Sequence, residues 1–151
     1  MKKIGDYRKL FEAEKDIDLK DLKVKYRSLM KEYHPDKFPG NTELRAEAEE
    51  KSKEIIEAYH FLVSIAPETV EHTREDYKKT ISTAGVVDFD FENQTLKVSF
   101  GDGHAYEYFG VPHKTYVKMV NSDSYGRFLR RHIADSFLYR SVNKRVAAAE
   151  A

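Results

Sequence analysis

The hydrophobic period of this chain changes once, near residue 80. Before that point apolar residues recur at helical spacing, and just after it they alternate at period two. A set of side chains that forms one stripe on a helix falls on both faces of a strand, so the two stretches must build different modules. The 151 residues suffice for one ordinary domain or two small ones. No internal repeat appears. The alanine-rich end, Val146 to Ala151, reads as a frayed tail.

In the first stretch, Asp6 to Ala13 reads as a short helix capped by Asp6, with Tyr7, Leu10 and Phe11 on one face. A longer helix is expected over Leu19 to Tyr33 with Asp18 as its N-cap. Leu19, Leu22, Tyr26, Leu29, Met30 and Tyr33 form its apolar stripe, and Lys20, Lys23, Arg27 and Lys31 form an adjacent basic one. Pro35 disfavours helical geometry at His34, so the helix stops there. The segment His34-Pro35-Asp36-Lys37-Phe38-Pro39-Gly40-Asn41 is a true connection. Thr42 is a candidate cap for a third helix running to about Ser64, whose buried stripe is Leu44, Ala48, Ile55, Ala58, Tyr59 and Leu62. The two long helices form an antiparallel hairpin. Glu68 to Lys79 is a short fourth helix or an ordered linker.

In the second stretch, Val87, Phe89 and Phe91 alternate with Asp88 and Asp90, and Leu96, Val98 and Phe100 alternate with Lys97 and Ser99. Gly101-Asp102-Gly103 signals a hairpin, and a third strand follows from His104 to Phe109. Pro112 to about Asn121 reads as a helix, and Ser124 caps a last one from Tyr125 to about Ser141. The expected fold class is therefore α+β: an all-α module, then a three-stranded antiparallel meander packed by two helices.

Composition narrows the chemistry. No cysteine is present, which excludes disulfides, thiolate zinc sites and cysteine nucleophiles in this sequence. His60, His72, His104, His113 and His132 show no metal-ligand spacing, so no metal and no cofactor are expected. No phosphate-binding loop, nucleophile elbow or paired-carboxylate context is visible, and an enzyme is not expected. No apolar run approaches the ~20 residues that span a bilayer. The lysines at the start have no apolar signal core behind them. The expectation is a soluble cytoplasmic protein without a membrane partner. Basic and acidic side chains balance at 26 each, so electrostatic recognition must come from local patches.

The first module resembles a J domain, the module of DnaJ-type co-chaperones. The resemblance rests on Asp6-Tyr7-Arg8-Lys9-Leu10, Tyr26-Arg27-Ser28-Leu29, Tyr33-His34-Pro35-Asp36-Lys37 and Glu54-Ile55-Ile56-Glu57-Ala58-Tyr59. It implies that the loop and the basic helix face dock on a DnaK-type chaperone, the seventy-kilodalton heat-shock ATPase, and promote its ATP hydrolysis. The residues that would do so are His34, Pro35 and Asp36 with Lys20, Lys23, Arg27, Lys31 and Lys37. Their chemistry suits that role: cations steer encounter with an acidic surface, and Asp36 can accept several hydrogen bonds or pair with an arginine. Three departures stand out. Ser52 replaces an expected core apolar residue, leaving Phe11 and Phe38 as candidates to fill the space. Ile56 replaces a usual asparagine, and the fourth helix lacks its basic motif. Neither the glycine/phenylalanine-rich segment nor the cysteine-rich zinc region of full-length DnaJ occurs, which by resemblance places the chain with minimal members carrying an unrelated second module.

That second module looks like a KTSC domain, on Tyr106-Glu107-Tyr108, Val111-Pro112, Tyr116, Ser124-Tyr125-Gly126-Arg127-Phe128 and Ile133. The expected division is a J domain over 1–66, a linker or short helix over 67–80, a KTSC-like domain over 81–145 and a tail over 146–151. The second module would serve as client or location adaptor, its client unknown. The alternative is RNA binding, with Tyr106 and Tyr108 stacking bases while Arg127, Arg130 and Arg131 hold phosphates. Against it stand the commoner use of alternating aromatics in cross-strand packing, and pairing of the arginines with Asp123 and Asp135. Phe109, Val111 and Pro112 offer a third option, an exposed apolar edge for another protein.

Overall fold

The computed structural model describes residues 2–142, which fall into two compact units, Lys2–Glu71 and the chain from His72 onward. The expected tail over 146–151 lies outside the described residues.

The first unit is helical. α1 spans Lys2–Phe11, α2 Leu19–Tyr33 and α3 Thr42–Ile65, and α4, Pro67–His72, closes it. α1 begins well before Asp6, which therefore lies inside the helix and does not cap it. Ile4 is the reason: buried with Tyr7 and Phe11, it extends the apolar stripe by one turn. α2 matches its expected bounds. The Asp18 side chain accepts from the N–H of Asp21 at 2.7 Å, and the Glu68 carboxylate accepts from the N–H of Leu19 at 2.9 Å. Two of the four orphan donors of α2 are thus satisfied. Asn41, not Thr42, caps α3, its side chain accepting from the N–H of Leu44 at 3.0 Å. Leu44 itself is exposed, because the hairpin contact starts at Ala48 and continues through Ser52, Ile55, Ala58 and Leu62. Phe11, Tyr59 and Tyr26 stack in series, with ring centroids 6.4 and 4.1 Å apart, so Phe11 does help fill the hairpin core, while Phe38 is only half-buried.

The second unit is a four-stranded antiparallel sheet in chain order with three helices. α5 spans Arg74–Thr83, β1 Val86–Glu92, β2 Thr95–Phe100, β3 Ala105–Phe109, α6 His113–Val120, α7 Tyr125–His132 and β4 Leu138–Ser141. The α+β class and the meander of the first three strands hold, and a fourth strand and a third helix, α5, add to them. The helix capped by Ser124 ends at His132, where the N–H groups of both Ile133 and Ala134 bond to Leu129 O and satisfy one of its last carbonyls. The chain then returns along β3. Pairing there covers the outer side of β3, lets Arg140 bond Glu107 through two nitrogens at 2.8 and 2.7 Å, and stacks Tyr139 on Tyr77 at 3.9 Å. The segment 67–80 is helical almost throughout, and α5 belongs to the second unit, contributing buried Tyr77 and Thr80.

β1 also departs from simple alternation. A bulge falls between Val86 and Asp88, so Val87 is 70% exposed and Val86, Phe89 and Phe91 pack against the core in its place.

Candidate functional site

The loop between α2 and α3 is built by its own sequence. His34 is extended (φ −66°, ψ 137°) because Pro35 follows it, and Pro35–Lys37 then makes one 3-10 turn. Lys37 N–H bonds His34 O at 3.0 Å and Phe38 N–H bonds Pro35 O at 3.1 Å. His34 Nδ1 accepts from the N–H of Asp36 at 3.2 Å. A ring nitrogen that accepts this bond carries no proton, so the neutral ring is protonated at Nε2. The Asp36 carboxylate, 3.6 Å from Nδ1, is left without a donor there and is 81% exposed.

The basic stripe leads to this loop. Lys20, Lys23, Arg27 and Lys31 follow one line along α2 for about 16 Å at 1.5 Å per residue. All four, and Lys37 beyond them, are exposed, and none forms an ion pair among the described residues. Each proposed docking residue thus lies on α2 or in the loop that ends it, and all but half-buried Pro35 stand in solvent.

Ser52 is a supporting residue that sequence reasoning took for a defect. It is buried, and its hydroxyl donates to Tyr33 O at 3.1 Å. That carbonyl is one of the orphan acceptors at the end of α2, adjacent to His34. Lys51 lies over the Tyr33 ring, 5.6 Å from its centroid, and holds the same residue from the side. Ser52→Ala is expected to cost about 1–2 kcal/mol, the penalty of an unsatisfied buried acceptor, and to loosen the loop. Denaturant unfolding together with amide exchange at His34 and Asp36 checks this. Unchanged exchange would show that Ser52 does not position the loop.

The second module places its candidates differently. Tyr106 and Tyr108 are 2% and 0% exposed and lie in the core with Tyr77, Leu96 and Leu129. Neither has a face on which a base can stack, so their role is packing and the expectation of stacking is corrected. Burial pushes the Tyr106 phenol up to about 12 and raises Tyr108 further. Phe109 and Val111 are buried as well, which removes the proposed apolar edge. Arg127, Arg130 and Arg131 are exposed, and Arg130 donates to Ile81 O at 3.3 Å. No ion pair joins them to Asp123 or Asp135 among the described residues.

The turn between β2 and β3 carries a polar clamp. Asp102 accepts from the Thr80 hydroxyl at 2.7 Å and from His104 N–H at 3.0 Å, with His104 Nδ1 at 3.1 Å. Burial pushes this carboxyl up, but the Thr80 hydroxyl and the His104 N–H and ring outweigh that, and it is held below the ordinary carboxylate range. A depressed folded pKa adds stability above the unfolded value, which is lost as pH falls through the folded one. Asp102→Asn is therefore expected to lower the melting temperature at neutral pH, with the gap to wild type closing as the pH falls through the carboxyl's depressed folded pKa. A melting difference that persists in acid would refute the clamp. Among the described residues no group of three His, Asp or Glu could hold a metal ion, and no helix is long and apolar enough to cross a membrane.

Hairpin, displayed loop and free basic stripe together define a J-domain module, the class found in DnaJ-type co-chaperones. Comparison with known families gives the particulars: the chain carries a DnaJ domain, matched over residues 6–77, followed by a KTSC domain, matched over 82–137. Among curated relatives, the chaperone protein DnaJ of Thermoplasma volcanium is 46% identical over 57 residues, covering 38% of this chain and 15% of that protein. DnaJ of Anaplasma marginale is 35% identical over 87 residues, covering 58% and 21%. DnaJ of Zymomonas mobilis is 46% identical over 57 residues, covering 38% and 14%. The matched segment thus spans about a fifth or less of these relatives' length.

Proposed function

We propose that this protein is a cytoplasmic co-chaperone that docks on a DnaK-type chaperone and stimulates its ATP hydrolysis, supplying no catalytic group itself. The observation that carries this reading is the uninterrupted exposed line of Lys20, Lys23, Arg27 and Lys31 ending at a loop whose Asp36 carboxylate is free for a partner. Cations in solvent speed and orient encounter with an acidic surface. Asp36, held by a 3-10 turn that fixes its backbone, then engages donors of the partner, and a contact made better in the hydrolysis-competent state shifts the partner toward that state. His34, Pro35 and Lys37 shape and flank the contact. The KTSC module acts as the adaptor that brings a client or sets location. RNA binding by that module is the weaker alternative, since burial of Tyr106 and Tyr108 leaves only arginines to support it. Single-turnover ATP hydrolysis by the host's DnaK-type chaperone, with and without this protein, tests the proposal. No stimulation by the folded protein would overturn it.

A further inference from the structure

We propose that β1 is a strand-docking edge that rejects copies of itself and accepts an extended partner segment with lysine or arginine at alternate positions. Among the described residues β1 has one strand neighbour, β2, so its other side is open. Which groups face that side follows from the turn. Asn93 and Gln94 both have positive φ, 49° and 62°, which makes a two-residue turn of the primed kind closed by Glu92 and Thr95. In such a hairpin the closing pair is hydrogen-bonded and the pairs then alternate. Asp90 and Asp88 therefore bond to β2, while the N–H and C=O of Phe89 and Phe91 point to the open side.

Those two outward N–H groups are already occupied. Phe89 N–H donates to the Asp88 carboxylate at 2.9 Å, and Phe91 N–H to the Asp90 carboxylate at 3.1 Å. Lys97 faces Asp90 across the register, yet no ion pair joins them among the described residues. The carboxylates thus sit along the edge, each covering a donor that an incoming strand needs. A second β1 pairing antiparallel about Phe89 would set Asp88 against Asp90 twice, like charge on like charge. A segment with cations at alternate positions does the reverse: it draws the carboxylates off the N–H groups and offers its carbonyls in their place. Its other face would meet apolar surface. Phe89 lies edge-on to Tyr125 at 4.9 Å and Phe91 stacks on Tyr116 at 4.4 Å, all four at least partly exposed, with Val87 exposed beside them. The partner chemistry is an extended stretch in which basic and apolar residues alternate.

This deepens the adaptor role given to the second module, but its test does not involve the chaperone, so the two stand or fall separately. The full-length protein is titrated with a labelled seven-residue peptide of alternating lysine and valine, and with its glutamate counterpart. The lysine peptide is expected to bind and to slow exchange of the Phe89 and Phe91 amides by about tenfold or more at saturation. Asp88→Asn with Asp90→Asn should weaken it roughly fivefold, and Asp88→Lys with Asp90→Lys should reverse the preference toward the glutamate peptide. Both variants change exposed side chains, and near-ultraviolet circular dichroism checks their fold. Equal affinity for the two peptides, binding unaffected by the Asn pair, or unchanged Phe89 and Phe91 exchange would each overturn the proposal.

Discussion

Asp36→Asn is expected to abolish stimulation of a DnaK-type ATPase while leaving the protein folded. The carboxylate is 81% exposed and caps nothing in its own chain, so the isosteric amide should change stability by no more than about 0.5 kcal/mol. At the partner the loss is larger. Removing one member of a desolvated, charge-assisted contact costs about 2–5 kcal/mol, roughly thirtyfold or more in the coupled step. Single-turnover hydrolysis measures it directly, with thermal unfolding of the variant as the control. The wild-type effect should also weaken with salt, because the lysines and arginine of α2 act in solvent, where screening sets in over about 8–10 Å. A folded Asp36→Asn protein that still stimulates would place the activity elsewhere on the chain.

The second large effect concerns Tyr77. Its hydroxyl donates to Ala134 O at 2.8 Å and, having no second proton, accepts from Tyr108 at 3.0 Å. Its ring stacks on Tyr139 and meets Tyr106 edge-on at 4.9 Å. Burial raises its phenol far above the ordinary tyrosine value, so it stays a neutral donor. Tyr77→Ala should cost about 3–5 kcal/mol, a large part of what a small domain has. Tyr77→Phe, which keeps the ring but strands the Ala134 carbonyl and the Tyr108 hydroxyl, should cost about 1–3 kcal/mol. The KTSC match begins at residue 82, beyond this side chain and beyond Thr80. A fragment over 82–142 is therefore expected to lack a cooperative unfolding transition, and one over 72–142 to show it. Cooperative unfolding of the shorter fragment would mean that α5 is dispensable.

What the sequence disclosed was mostly local. Asp18 and Ser124 cap their helices as their position before apolar runs suggests, and Pro35 sets the end of α2 from within the loop. The positions of the proposed docking residues were legible for the same reason, since a helix period and one proline place them, while their docking role is what the family resemblance implies. Local signals misled where two competed. Asn41 and Thr42 are both good caps, and the geometry of the loop chose the first. Asp6 resembles a cap until Ile4 is recognised as core. The rest depended on distant partners. β4 is four half-buried residues without a strong period, and its pairing is rewarded only by β3 and by a tyrosine on α5. Ser52 reads as a gap in a stripe unless the carbonyl of Tyr33, on another helix, is brought beside it. Tyr106 and Tyr108 fit a binding surface as well as a core until a fourth strand and α5 cover them.

The tie between Tyr77 and Ala134 spans 57 positions, and the stack on Tyr139 reaches further still. During synthesis, α5 emerges early, gains its partners Asp102, Tyr106 and Tyr108 only when the turn after β2 and β3 follow, and gains the Tyr139 stack only once β4 has left the ribosome. The helices of the first unit also close over long separations, Tyr7 on Phe61 and Leu19 on Glu68, but all of those partners precede the second unit in the chain. The order of production therefore presents the His34–Asp36 loop while the second module is still an open chain with its aromatic core exposed. On the proposed function, the nearest unfolded segment for a chaperone docked during that interval is the protein's own C-terminal half.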